Sequence, residues 1–394
     1  MKKVIIEFYD RDFLENIASL FDTEFDRIIY ICPKEEEELE QDRITLTNFI
    51  YRRFHVRPEF LHLQGHPMIA VLERLEEIVS EDAAYYFDIT GGSPEFIAAM
   101  GFFAAKHPEK IIFIRQYDVE SGLLRFTYPD DSAKEEKLIL PLSLSEIISL
   151  SGADIRARND VIRYDLDTGR LREDILTLWD AVHTVMRSWN NFSVLPDAPL
   201  EDRCSGYYCK QVNDNVRHHF DEIADRLCRA GIMSDVRVRE NKKGAAISYR
   251  LNVDPRGRFL FDKGGNLMEM ICYLTAVESE AFSDCCVSVE MDWDKSKQDT
   301  FAAPYNEVDL LLLHGHTPVF VSCKSTEAEN DHLYEIAVMA RHYGGIYAKP
   351  MLLSGATNSA VIRNRAKEMG ITFLDNICRM SADELIAHWR YLFP

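Results

Sequence analysis

The chain has 394 residues, 46% hydrophobic and 28% charged, with 18 glycines and 14 prolines. These values exclude a collagenous, low-complexity or largely disordered chain, and the length predicts two or three domains. With 65 acidic against 45 basic residues the net charge is −20, so the general field repels polyanions. Any nucleic acid must be held by local cations or by metal ions.

No apolar run reaches the roughly 18–20 residues of a membrane span. Met1-Lys2-Lys3 leads straight into VIIEFYD with no cleavage site, which predicts a soluble, cytoplasmic protein with no membrane partner. The nine cysteines are odd in number and form no CxxC pair, and Cys204 with Cys209 lacks the second half of a zinc site. Buried thiols in a reducing compartment follow. Charge is uneven: residues 1–150 hold 29 acids against 16 bases, whereas 226–258 hold nine bases against three acids.

Strand and helix alternate through the first 120 residues. VIIEFYD (4–10) predicts a buried strand, RDFLENIASLF (11–21) a helix, RIIYICP (27–33) a second strand and 35–54 a long helix. The acidic opening of that helix, 35–38, suits the helix dipole. EFLHLQG (59–65), AAYYFDITGG (83–92) and KIIFIRQYD (110–118) predict three more strands, separated by helices over 67–81 and 93–107. Continuous apolar strands in such units imply a parallel, Rossmann-like sheet covered on both faces. GLLRFTY and KLILPLS predict an added hairpin, and the pattern breaks near residue 150.

Residues 171–189 and 214–231 predict two helices, followed by strands DVRVRE and AISYRLNV around the basic tip Asn241-Lys242-Lys243-Gly244. Two helices and a basic hairpin make a winged-helix-like layout. The final third opens with a turn at 262–265 and a helix N-capped by Asn266, its apolar stripe Leu267, Met270, Ile271 and Leu274. CCVSVEMDW, EVDLLLLHG and PVFVSCKS predict strands; LYEIAVMARHYGG, KPMLLSG, a helix–strand pair over 360–376 and a terminal helix capped by Ser381 complete a second α/β domain with a mixed sheet. The expected fold class is α/β in three parts: 1–150 Rossmann-like, 151–255 a connector and 256–394 the second α/β domain.

Two constellations carry chemistry. In Asp88-Ile89-Thr90-Gly91-Gly92-Ser93-Pro94, two glycines let the backbone approach a ligand, two hydroxyls flank them, and the following helix aims its first N–H groups at the strand end. That suits an anion or phosphate at the carboxyl edge of the sheet. The alternative is a plain strand-to-helix turn. The pattern is neither GxGxxG nor a Walker loop, which removes support for a nicotinamide enzyme or a P-loop NTPase.

In the second, Asn306-Glu307-Val308-Asp309 and Ser322-Cys323-Lys324 sit on adjacent strands. Alternation puts Glu307 and Asp309 on one face, and likewise Ser322 and Lys324. An acid and a lysine among apolar residues build a poor core but a good hydrolytic site. Asp309 would hold Mg²⁺ or Mn²⁺, and Lys324 would orient or deprotonate water and steady phosphoryl charge. The alternative is an ordinary salt bridge at an exposed strand end. The histidines do not form HExxH, and His314-x-His316 predicts a solvated turn.

The TGGS turn on the fourth strand of an acidic opening domain resembles the CRISPR-associated Rossmann-fold (CARF) sensors. That resemblance implies a homodimer whose shared pocket takes a cyclic oligoadenylate, four-membered (cA4) by preference with the six-membered ring as alternative. Thr90, Gly91, Gly92 and Ser93 would touch ribose or phosphate, with Tyr9, Asp10 and Arg11 as the strand-one loop. NEVD and SCK resemble the PD-(D/E)xK nuclease signature, Ser322 replacing its second acid. The resemblance adds Glu269, on the preceding helix, and the Cys323 backbone carbonyl as metal ligands; Glu307 is a helper. Together they resemble CRISPR ancillary effectors that join a CARF sensor to a restriction-endonuclease-like domain. The implied activity is metal-dependent cutting of single-stranded RNA or DNA in type III CRISPR antiviral defence. The competing reading is a ligand-responsive winged-helix DNA-binding regulator with an inert nuclease-like domain.

Overall fold

The computed structural model describes residues 1–32, 40–64, 67–79, 82–157, 169–192, 206–242, 244–292 and 306–394. Expectations for residues 35–38, Cys204 and Lys243 lie outside them. Strands β1 (Lys2–Phe8), β2 (Arg27–Cys32), β3 (Glu59–His62), β4 (Ala83–Asp88) and β5 (Ile111–Asp118) run parallel in the order β3-β2-β1-β4-β5. Residues Val4 to Phe8 of β1 and the last five of β2 and β4 are all buried, as crossover strands under helices on both faces require. Helices α1 (Phe13–Ile17), α2 (Glu40–Phe54), α3 (Pro67–Ile78) and α4 (Pro94–Lys106) make the connections. Strand order reverses between β1 and β4, so the loops after these two strands open at one sheet edge, where α/β folds hold ligands.

Antiparallel β6 (Leu123–Thr127) and β7 (Ala133–Lys137) extend this sheet. Here the expected hairpin is corrected: its second strand is the polar AKEEK, not KLILPLS. A charged strand suits an exposed sheet edge, while Leu140 and Leu142 drop into the core ahead of α5 (Leu144–Leu150).

The helix expected over 171–189 is two, α6 (Leu171–Val182) and α7 (Met186–Phe192), parted by a 3₁₀ turn at His183–Val185. After β8 (Asp154–Ala157), strands β9 (Tyr207–Val212), β10 (Met233–Asn241) and β11 (Gly244–Leu251) form an antiparallel sheet in the order β10-β11-β9. Helix α8 (Asp214–Arg229), N-capped by Asn213, packs on it. β9 was not expected, because YYCKQV lacks the alternation that marks a strand.

A 3₁₀ turn (Pro255–Phe261) leads to α9 (Gly264–Glu278), then β12 (Asp284–Asp292), β13 (Asn306–His314), β14 (Thr317–Lys324), α10 (Asn330–Gly344), β15 (Lys349–Ser354), α11 (Ala360–Glu368), β16 (Thr372–Leu374) and α12 (Ala382–Leu392). The sheet runs β16-β15-β14-β13-β12-β8, antiparallel from β12 to β14 and parallel from β14 to β16, the mixed sheet expected. Leu267, Ile271 and Leu274 of α9 share one core with Leu310, Leu312, Val319 and Val321, and with Trp179 and Trp189 of α6 and α7. Two expectations are corrected. Asn266 lies inside α9, whose N-cap is Lys263, and its amide donates to the Phe259 carbonyl at 2.8 Å. His316 is buried rather than solvated, and His314 Nδ1 donates to the Ala281 carbonyl at 2.9 Å. Ser381 does cap α12, in a reciprocal pair with Glu384 worth about 1 kcal/mol.

The described residues fall into two compact units. One comprises Met1–Asp154 with Arg341–Tyr347; the other, the described residues of Ile155–Asp292, Asp299–Ala340 and Ala348–Pro394. Among the described residues no helix is long and apolar enough to cross a membrane.

Candidate active site and ligand-facing turn

Pairing between β13 and β14 ends at Leu310 and Val321. Beyond that point β13 continues along β12 to Asn306, and β14 along β15 to Lys324. The strands therefore fork where Asp309 would face Ser322. The Asp309 carboxylate fills the fork in place of a main-chain partner: Cys323 N–H donates to its Oδ2 at 2.6 Å and the Ser322 hydroxyl donates at 3.2 Å. Hydrogen bonds to an ionised acceptor are the strong ones, so the acid is fixed by the sheet itself. Ser322 braces Asp309 at the place where the nuclease signature usually has its second acid.

Glu307, Asp309, Ser322 and Lys324 line one cleft, joined by Glu335 of α10. Glu335 was not anticipated, since an exposed helix acid reads as a solvated one. Glu269 of α9 feels the same group. Burial first, then Asp309 and Glu307, push its carboxyl up to about 7, against the pull of Lys324 and Lys263. Asp309 is also raised, chiefly by burial, with Lys324 and its two hydrogen bonds opposing. Two half-buried carboxylates thus share Lys324 as their principal cation. The Cys323 thiol is pushed well up by its hydrogen bond with the free Cys272 thiol and by burial, so it stays protonated and only the carbonyl of that residue is a candidate donor.

The donor set suits a hard cation. Among the described residues no three His, Cys, Asp or Glu side chains converge as a complete ligand set. Mg²⁺ does not need one: it keeps several waters and accepts one or two carboxylates. Asp309 and Glu269, disfavoured as neighbouring anions, fit that requirement, with the Cys323 carbonyl as a neutral oxygen.

At the other predicted site, the turn after β4 is braced from within. Thr90 N–H donates to Asp88 Oδ1 at 2.8 Å, and Thr90 Oγ1 accepts Tyr117 N–H at 2.9 Å. Ser93 caps α4 by accepting Phe96 N–H at 3.3 Å. Asp10 Oδ2 accepts Gly92 N–H at 3.2 Å and Oδ1 accepts Asp12 N–H at 3.1 Å, so this acid ties the strand-one loop to the turn. Gly92 has φ +107°, and a Cβ there would meet Phe96 and Phe8 at 2.8 and 2.9 Å; at Gly91 it would meet Asp10 at 3.0 Å. Tyr9 is buried against Tyr30 and Phe60 under the Arg43 guanidinium. Arg11 is exposed and lines a cleft with Tyr9, Asp42 and Ser151. The structure therefore gathers the two glycines, Ser93 and Asp10 at one edge, while both hydroxyls serve the fold.

Behind the turn, Glu7, Asp88 and Arg115 lie side by side across β1, β4 and β5 and are fully buried. Arg115 Nε pairs with Asp88 Oδ2 at 2.8 Å, and Glu7 is raised well above the carboxylate range, chiefly by burial and then by Asp88. Glu15, against Gly91, accepts the Tyr347 hydroxyl at 2.5 Å, and burial lifts its carboxyl to about 7.

Fold and sites define an α/β protein that carries a glycine turn at a parallel-sheet switch point and, elsewhere in the chain, a carboxylate–lysine fork. Residues 255–391 match the family model for the Card1-like endonuclease domain. Over 99% of its length the chain shares its fold with protein VC1899 from Vibrio cholerae (TM-score 0.74, 14% identity, 98% of that chain). It does so too with Can2 from Sulfobacillus thermosulfidooxidans, solved in complex with cyclic tetra-adenylate (TM-score 0.64, 14% identity, 99% of each chain). No curated protein matches the sequence. The chain is thus similar to the Card1-like endonuclease domain over residues 255–391, and along its whole length it shares the fold of VC1899 and Can2.

Proposed function

We propose that the chain is a cyclic-oligoadenylate-activated, metal-dependent endonuclease of type III CRISPR defence, cutting single-stranded RNA or DNA. The observation that carries this is the pair of half-buried carboxylates, Asp309 and Glu269, beside Lys324 at the strand fork. A divalent ion, Mn²⁺ or Mg²⁺, bound by Asp309, Glu269 and the Cys323 carbonyl would supply a Lewis acid and an acidified water. Asp309 is pre-fixed by Cys323 N–H and Ser322, so no reorganisation is needed on binding. Lys324 offers its ammonium to the non-bridging oxygens as water attacks phosphorus and the P–O bond to the leaving sugar breaks. The attacking water gives up a proton to solvent, and the leaving oxygen takes one up from it. Glu307, exposed on the same strand face, assists at the cleft mouth.

Activation lies in a homodimer whose two copies share one ring at Thr90, Gly91, Gly92 and Ser93, with Tyr9, Asp10 and Arg11 flanking it. The ring is cA4 by preference, with cA6 as alternative; the cA4 bound to Can2 supports the first. The ring must favour one dimer geometry, since equal affinity for both shifts nothing. The test incubates the full chain with labelled single-stranded RNA and DNA in Mn²⁺, with and without each ring. Product that needs the metal and rises with one ring is expected; no product under any combination overturns the proposal.

A second reading draws on the three-stranded sheet. Alternation on β10 exposes Arg237 and Arg239 together, opposite Ser248 and Ala246, and Arg250 is exposed on β11. That face favours a winged-helix-like DNA-binding regulator with an inert nuclease-like domain. Retention of duplex DNA without metal-dependent cleavage would support it.

A further inference from the structure

A cleft of about 700 Å³ opens in the second unit, walled by the 3₁₀ turn and α7, by the loop after β14, and by the 3₁₀ turn at Ile377–Arg379. It adjoins the candidate catalytic group by direct contacts. Ser325, the residue after Lys324, accepts the Asn190 amide at 3.1 Å, and Asn190 lies against Gly264, where a Cβ would meet it at 2.5 Å. Gly264 begins the helix that carries Glu269. The cleft thus borders the residue that follows Lys324 and, through Asn190, the start of the helix that carries Glu269.

Its lining mixes polar and apolar groups and carries no Phe, Tyr or Trp. Two exposed arginines, Arg187 on α7 and Arg379 at the opposite turn, stand on its walls, with Glu327 and Glu329 on the loop between. His183 stacks on Trp179 with its Nδ1 on the Cys378 carbonyl; a carbonyl only accepts, so Nδ1 carries the proton. Arginine's planar fork matches phosphate oxygens, and the one ring in the lining, His183, is already stacked on Trp179.

Resting on the nuclease reading above, we infer that this cleft holds the single strand on one side of the scissile phosphodiester, by its phosphates. Arg187 and Arg379 bind backbone phosphates two-handedly, and Ser325, held by Asn190, passes the chain to Lys324. Arg187 and Arg379 are positioning residues. The affinity they provide is electrostatic and sequence-tolerant.

The test uses the full chain with a fluorescein-labelled single-stranded 20-mer, RNA or DNA, plus cA4. Anisotropy in Ca²⁺ gives binding as a function of salt, and cleavage in Mn²⁺ gives kcat and KM. For the double variant Arg187→Ala/Arg379→Ala, KM should rise about tenfold or more with kcat little changed. The slope of log K against log salt should fall by about 1.4, at roughly 0.7 for each single-strand phosphate no longer neutralised. Arg187→Lys/Arg379→Lys should restore most of the slope. A double alanine variant with wild-type KM and slope overturns the inference, and so does a fall in kcat alone at unchanged slope. A wild-type chain that cuts nothing refutes the nuclease reading instead, while the salt slope still decides the cleft.

Discussion

The two sites use carboxylates in opposite ways. At the glycine turn, Asp88 faces Arg115 at 2.8 Å and Asp10 accepts two backbone N–H groups, so these acids act as braces for a shaped backbone. At the strand fork, Asp309 and Glu269 are both raised, chiefly by burial, Asp309 adds to the rise of Glu269, and Lys324 opposes both. Satisfied acids make a rigid cradle; under-compensated acids make a demand for a cation.

The comparison can be broken most directly at the fork. Lys324→Ala should lower cleavage by about 10²–10⁴-fold, the usual scale for a lost acid–base or electrostatic group, with ring affinity unchanged. Activity at the wild-type rate would remove Lys324 from the site. The next largest effect is at the cradle. Gly92→Val demands a left-handed backbone from a β-branched residue and drives Cβ into Phe96 and Phe8. Ring binding by calorimetry should vanish and the melting temperature fall, whereas metal uptake at the fork should persist in the protein that remains folded. A variant that binds the ring normally sinks the pocket.

A smaller effect separates the two readings. Replacing Arg237, Arg239 and Arg250 together by Ser should leave cleavage within about twofold, since surface changes away from a site are nearly neutral. Lost duplex retention with no cleavage in the parent would favour the regulator. The smallest effect is a slope. Glu15 is raised from 4.5 to about 7, so the fold prefers it protonated. That contribution is complete below about pH 4.5 and is lost as pH climbs through 7. Glu15→Gln should flatten the decline of melting temperature across that window; an unchanged slope would show the acid to be ordinary.

Much of this was legible in the sequence, for physical reasons that differ by element. Buried parallel strands must be apolar throughout, so VIIEFYD and AAYYFD announce themselves. The fork was readable because an acid and a lysine at period-two spacing interrupt two apolar strands. What escaped depended on tertiary packing. The polar β7 is a strand because an edge was available to it, not because AKEEK favours one. The kink at His183–Val185 leaves no mark in an unbroken helical stripe, although it shapes the cleft. Glu335 resembles any solvated helix acid until β13 is placed opposite it.

Because Cys323 N–H points at Asp309 Oδ2, the main chain itself carries a gauge of what that oxygen is doing. An ion drawn to the same lone pairs competes with the amide for electron density. The nitrogen-15 resonance of this one backbone group would therefore move during a cation titration, reporting occupancy in the intact protein before any strand is cut.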